Sequence, residues 1–147
     1  LVDDQEIRTL MENPLTCLTE SNHRLLLDFY SHLIGKCSRK NLLFGVALKT
    51  STRGDRQLQI PNEGSLWKAI ISHLHTRYWE ASPKFKYHAI ILDNLSQAEQ
   101  NAFNTVATHS ITDPNVKPIP ATDKAYAVVT FGDIFEVAQD IFDRALD

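Results

Sequence analysis

Three short apolar runs, each followed by a stretch of helical period, constrain the fold of this chain more than any other feature. They are Leu42-Leu43-Phe44-Gly45-Val46-Ala47-Leu48, Tyr87 to Leu92 and Ala125 to Phe131, all of strand length. Two of them read as continuous apolar runs, the pattern of strands buried on both faces. Strand–helix units in succession predict an α/β fold, a central sheet covered on both sides by helices.

The helix signals between the runs are local. Asp4 to Glu12 reads as a short helix stopped at Asn13-Pro14, because the residue before proline avoids the α region. Ser21 is a candidate cap for a helix carrying Leu25, Leu26, Phe29 and Leu33, with Gly35 as its stop. After Lys49 a polar loop is expected. Helix then resumes near Glu63 and runs to about Trp79, with Trp67, Ile70, Ile71, Leu74 and Tyr78 along one face. Ser96 and Glu99 have the spacing of a capping box opening a helix through about Thr108. Thr112 to Pro120 is irregular, and Asp133 and Glu136 open a last helix bearing Ile134, Val137, Ile141 and Leu146. No repeat or domain linker interrupts residues 1–147, so one domain is expected.

A chain of 147 residues is enough for one core. With 43% apolar and 22% charged residues it is not a disordered chain. No uncharged apolar stretch approaches bilayer length, and no secretory signal is visible, which points to the cytoplasm and no membrane partner. The chain does not begin with methionine and is read as a piece of something longer. Cys17 and Cys37 are too few for a disulfide framework and are expected as buried thiols. The net charge is −3, which excludes a nonspecific polyanion binder. Lys36, Arg39, Lys40, Lys49, Arg53 and Arg56 nevertheless form a basic stretch against one acid, Asp55, able to meet a phosphate backbone.

The chemistry lies in that stretch. Lys49 closes an apolar run, Glu63 follows at an expected helix start, and Arg53-Gly-Asp55-Arg56 lies between them. Phosphodiester hydrolysis needs a metal to neutralise developing charge, carboxylates to hold it and a group beside the scissile phosphate. A strand-end ammonium and a hard-oxygen carboxylate suit Mg2+ chemistry. Arginine reads guanine bidentately and aspartate accepts from the cytosine amino group, so Arg53, Asp55 and Arg56 can read G·C pairs. Each signal alone is weak: strand-end lysines and Arg/Asp clusters are usually solvated surface. His73 and His75 lie on different sides of a helix, and the remaining histidines read as surface or satisfied core residues. No Gly-rich phosphate loop or nucleophile elbow is present.

Taken together, the run from Gly45 to Trp79 resembles the type II restriction endonucleases related to Cfr10I and Bse634I, of the PD-(D/E)XK nuclease fold. The resemblance continues through Gly64-Ser65-Leu66, Lys68-Ala69-Ile70 and His73-Leu74-x-Thr76-Arg77-x-Trp79. It implies a restriction-endonuclease-like central sheet flanked by helices, cutting double-stranded DNA at a CCGG-core palindrome with Mg2+. By the same resemblance Lys49 and Glu63 are catalytic, with Glu63 a metal ligand displaced from the usual position, which Ala47 occupies. Arg53, Asp55 and Arg56 are implied base readers, and Arg77 and Trp79 are implied contacts between copies in a homodimer or homotetramer. Core packing is the competing reading of Trp79.

The family's upstream metal aspartate follows a proline, and Leu1-Val2-Asp3-Asp4 has no such pair. The chain is therefore expected to lack the N-terminal part of the fold, with Asp3 or Asp4 as possible substitutes, and to cleave little on its own. Two alternatives remain at this point. One is a nuclease-derived DNA-binding module that does not cut. The other is an unrelated α/β interaction domain.

Overall fold

The computed structural model describes residues 17, 19–35, 42–51, 53–79, 85–107, 110 and 117–146. The chain divides into two compact units, Leu1–Leu42 and Leu43–Asp147. In the first, helix α1 (Glu20–Leu33) starts after Thr19, whose hydroxyl accepts from the Asn22 amide at 3.2 Å. Ser21, expected as the cap, lies inside the first turn. A cap needs extended backbone, and Thr19 has it (φ −111°, ψ 161°). Gly35 ends the helix as expected, in the left-handed region at φ +75°. Cys17 is exposed, which corrects the expectation of a buried thiol. Cys37, Asp3, Asp4 and the short helix expected at Asp4 to Glu12 lie outside the described residues.

The second unit is built on a parallel sheet. Strands β1 (Phe44–Lys49), β2 (Lys86–Ile91) and β3 (Lys124–Ala127) pair in the order β1–β2–β3. Parallel neighbours need a crossover. Helices α2 (Gly54–Arg77) and α3 (Gln97–Phe103) lie in the two crossovers, and α4 (Phe131–Leu146) follows β3. The box at Ser96 and Glu99 closes both ways, as its spacing predicts. Phe131, expected at the end of the third strand, instead opens α4. Asp133 accepts the Val129 and Thr130 amides at 2.9 and 2.7 Å, which draws the helix start forward.

Successive strand side chains face opposite ways, so β2 feeds two interiors. Ala89 and Ile91 pack with Ile60 of α2 and Phe103 of α3, all 0% exposed. At about 1.5–3 kcal/mol for each large side chain, these contacts fix α2 and α3 to the sheet. On the other face Ile90 packs against a cluster of Tyr126, Val128, Val137 and Ile141. Asp140 of α4 ties the last helix to β3, accepting from the Tyr126 hydroxyl at 2.6 Å and from Lys124 at 2.9 Å. This second interior is incomplete beside β1. Val46 and Leu48 are 41% and 62% exposed and border an apolar groove of about 440 Å3 against α4. Among the described residues the sheet is therefore not covered evenly on both faces.

Helix α2 departs most from expectation. It begins at Gly54, so the Arg53–Arg56 cluster opens a helix instead of riding a loop, and Glu63 lies well inside it. The proline at position 61 reads as a breaker but sits within the helix. It lacks an amide donor, a helix-interior cost of about 3 kcal/mol. Burial of Ile60 against Ala89 and Ile91 offsets it. The buried stripe is also not the apolar one. Ile60, Gly64, Lys68, Ile71 and His75 are buried, whereas Trp67, Ile70 and Tyr78 are 48%, 40% and 52% exposed. A glycine, a lysine and a histidine on the inner face hide its period from any hydrophobic count.

Gly64 marks the closest approach of α2 to the sheet. A Cβ there would collide with the Ala121 carbonyl oxygen and stand 2.7 Å from Tyr87 Cδ1. Gly64→Ala is expected to destabilise the fold by about 1–3 kcal/mol, through overpacking that backbone cannot relieve. A thermal unfolding midpoint within a degree of the parent would refute this.

His88 is completely buried between Phe44 and Tyr126, and neither ring nitrogen has a hydrogen-bond partner among the described residues. It is not the satisfied core histidine expected. Burial is the main cause that holds its pKa below the ordinary value. The Asp123 charge opposes this, and Arg144, Lys68 and Lys86 add to it. The folded state therefore keeps this ring neutral, while the unfolded chain takes up a proton below about pH 6.5. Stability is expected to be full above that pH and to fall below it. Denaturant midpoints at pH 7 and pH 5 should differ less in His88→Leu than in the parent.

Candidate active site

Lys49 is the last residue of β1 and shares with Gly45 and Ala47 the sheet face that meets α2. Its ammonium stands 3.1 Å from Glu63 Oε1, with the two side chains 18% and 32% exposed. The pairing expected from the sequence is thus present, at the carboxyl end of a parallel strand. That is where open α/β sheets gather their ligands.

Two further donors converge on the same carboxylate. Gln59, one turn earlier on α2, donates Nε2 to Glu63 Oε1 at 2.6 Å. Tyr87, on β2, donates its hydroxyl to Glu63 Oε2 at 3.0 Å. Burial is the largest cause that pushes the Tyr87 phenol well above its usual range, with the Glu63 hydrogen bond and charge adding to it. The phenol therefore remains a donor throughout the ordinary pH range.

Behind this group lies an ion pair between a buried lysine and a half-buried aspartate. Lys68, 3% exposed, meets Asp123 Oδ2 at 2.6 Å and donates to the Pro120 carbonyl at 2.6 Å. Burial lowers the Lys68 pKa, and Asp123 pulls it back. The Asp123 carboxylate also accepts the Tyr87 amide at 2.6 Å, while the Asp123 amide donates to the Tyr87 carbonyl at 2.8 Å. Glu63, Gly64 and Lys68 therefore bind one helix to one tyrosine through side chain, ring and main chain.

Arg53 sits exposed at the N-cap position of α2, with Asp55 and Arg56 in the first turn. The three positions therefore stand together at this end of α2. The side chains of Asp55 and Arg56 lie outside the described set. Arg77 ends α2 and is exposed. Trp79, just beyond, is 96% exposed with φ 56°. Core packing of Trp79 in this unit is excluded. The structure thus joins Lys49 with Glu63 but leaves the arginine cluster and Trp79 at opposite ends of the helix.

Sequence reasoning missed Gln59, Tyr87 and Asp123. Gln59 was recoverable from its spacing to Glu63. The other two depend on pairings between β2, α2 and the residues before β3, which no local pattern encodes.

The profile of the family described as "Bse634I: Cfr10I/Bse634I restriction endonuclease" matches residues 2–144. The type II restriction enzyme Cfr10I of Citrobacter freundii is 34% identical over 108 residues, 73% of this chain and 38% of that enzyme. The Bse634I restriction endonuclease superposes with a TM-score of 0.82 at 36% identity, over 88% of this chain and 45% of that one. A structure of Bse634I, termed a type IIF enzyme, with cognate DNA gives 0.77 at 36% identity, over 84% of this chain and 43% of that one. The chain thus spans less than half the length of each of these relatives. The chain shares the fold of Bse634I over most of its length and belongs to the Cfr10I/Bse634I family of restriction endonucleases.

Proposed function

We propose that residues 1–147 are the C-terminal catalytic and DNA-recognition part of a type II restriction endonuclease. It hydrolyses both strands of duplex DNA at a CCGG-core palindrome, with Mg2+ as cofactor. The observation that carries this reading is the 3.1 Å approach of the Lys49 ammonium to Glu63 at the end of β1.

The donor set is compatible with Mg2+, which prefers oxygen ligands, keeps several waters and needs only one or two carboxylates. A carboxylate offers about four acceptor directions, and Lys49, Gln59 and Tyr87 occupy three of those on Glu63. Glu63 would hold the ion through the remaining one. Among the described residues no three His, Cys, Asp or Glu side chains cluster, so Glu63 is the protein ligand that can be named. When bound, the ion supplies charge neutralisation at the phosphate. Lys49 would donate to a phosphate oxygen as negative charge builds there.

Arg53, Asp55 and Arg56 read the G·C pairs from the start of α2, an end that a major groove can admit. A palindrome cut on both strands calls for a two-fold homodimer, which can pair further into a homotetramer. Arg77 and Trp79 serve the contact between copies. An almost fully exposed tryptophan held in the left-handed region is costly unless a partner covers it. Along a helix of 24 residues, about 36 Å separates this end from the DNA-reading end.

Mobility-shift titrations of this chain with a CCGG duplex and a scrambled duplex test the recognition. Arg53→Ala and Arg56→Ala should each cost about 1–3 kcal/mol on the CCGG duplex and leave the scrambled one nearly unchanged. Equal binding of both duplexes by the parent would sink the specificity. Cleavage is tested on the protein as its gene encodes it. Lys49→Ala and Glu63→Ala should each lower Mg2+-dependent cutting at least a hundredfold while binding persists. Binding without any cutting by the parent would favour a non-cleaving DNA-binding module.

A further inference from the structure

The geometry points to Tyr87 as the positioning residue for Glu63: its hydroxyl fixes the carboxylate so that one oxygen direction stays open to a divalent cation. The inference rests on the reading of Glu63 as a cation ligand and adds what sets its pose.

Among the described residues three groups donate to Glu63, and they differ in how firmly they are held. Gln59 is exposed on the surface of α2, with a flexible side chain. Lys49 carries a four-carbon stem and is partly exposed. Tyr87 is 3% exposed, and its ring lies in a slot that two glycines leave open. A Cβ on Gly45 would stand 3.1 Å from Tyr87 Cδ2, and one on Gly64 would stand 2.7 Å from Cδ1. Its main chain is held in both directions by Asp123, and Asp123 is held by buried Lys68. A donor so confined dictates where its acceptor points, whereas the other two follow the acceptor.

Lys49 and Gln59 both bind Oε1, and Tyr87 binds Oε2 alone. The open direction therefore lies on the oxygen that Tyr87 orients. Groups that orient a metal ligand commonly change metal affinity by about 10–100-fold.

The test is Mn2+ binding to the protein as its gene encodes it, read by electron paramagnetic resonance of the free ion, alongside thermal unfolding. Tyr87→Phe keeps the ring in its slot and removes only the hydroxyl. Its Mn2+ affinity should fall about tenfold, with little change in the unfolding midpoint. Gln59→Ala should lose less than threefold, and Glu63→Gln should abolish the binding. If Glu63→Gln removes the binding and Tyr87→Phe retains parental affinity, the positioning role is overturned and Glu63 remains a ligand. A lower unfolding midpoint with unchanged affinity likewise assigns Tyr87 a structural role only. If Glu63→Gln binds as the parent does, or the parent does not bind, the ligand reading fails and the inference falls with it.

Discussion

At Gly64 the backbone of α2 comes against the Ala121 carbonyl and the Tyr87 ring with no room for a methyl group between them. One turn further on, Lys68 carries its ammonium through the same interface to Asp123. Steric closeness and charge pairing reinforce each other here. The approach at Gly64 brings Lys68 within reach of Asp123, and the ion pair in turn holds the helix where the contact is tightest. Glu63 precedes Gly64 directly, so its carboxylate inherits that position. A helix standing off by the width of one side chain would leave Glu63 short of both Lys49 and Tyr87.

Burying Lys68 costs desolvation, and pairing with Asp123 recovers part of it. Pairs of this kind add little net stability compared with apolar residues of the same shape, but removing one partner is expensive, at about 3–5 kcal/mol. An apolar side chain at position 68 could slide along the sheet. An ammonium that must meet one carboxylate and one carbonyl cannot. The pair therefore sets the register of α2 on β2, which a site built from residues on both elements needs.

Much of this was legible from the sequence, and the rest was hidden for identifiable reasons. The three strands follow from the apolar runs because β-propensity and apolar patterning agree there, although Val46 and Leu48 of β1 stay exposed. Lys49 opposite Glu63 was readable because both stand in one short motif. The start of α2 was not, because Pro61 imitates a stop that tertiary packing of Ile60 overrides. The inner face of α2 is hidden in the sequence because Gly64, Lys68 and His75 carry no hydrophobic signal, while Trp67 and Ile70 carry one and remain exposed. Tyr87 looked like the opening of a strand. Its slot depends on two glycines, one opposite it on β1 and one on α2, a relation that only the folded chain displays.

Helix α2 runs unbroken from Gly54 to Arg77, and the placing of Glu63, Gly64 and Lys68 on it is a matter of phase. Adding or deleting one residue anywhere between the arginine cluster and Lys68 would rotate everything beyond it by about 100°. The glycine would leave its contact and the ammonium would face water. Surface connections absorb changes in length, but this rod cannot. Among variants of this chain, differences in length should collect outside α2, while its internal spacing stays invariant to the single residue.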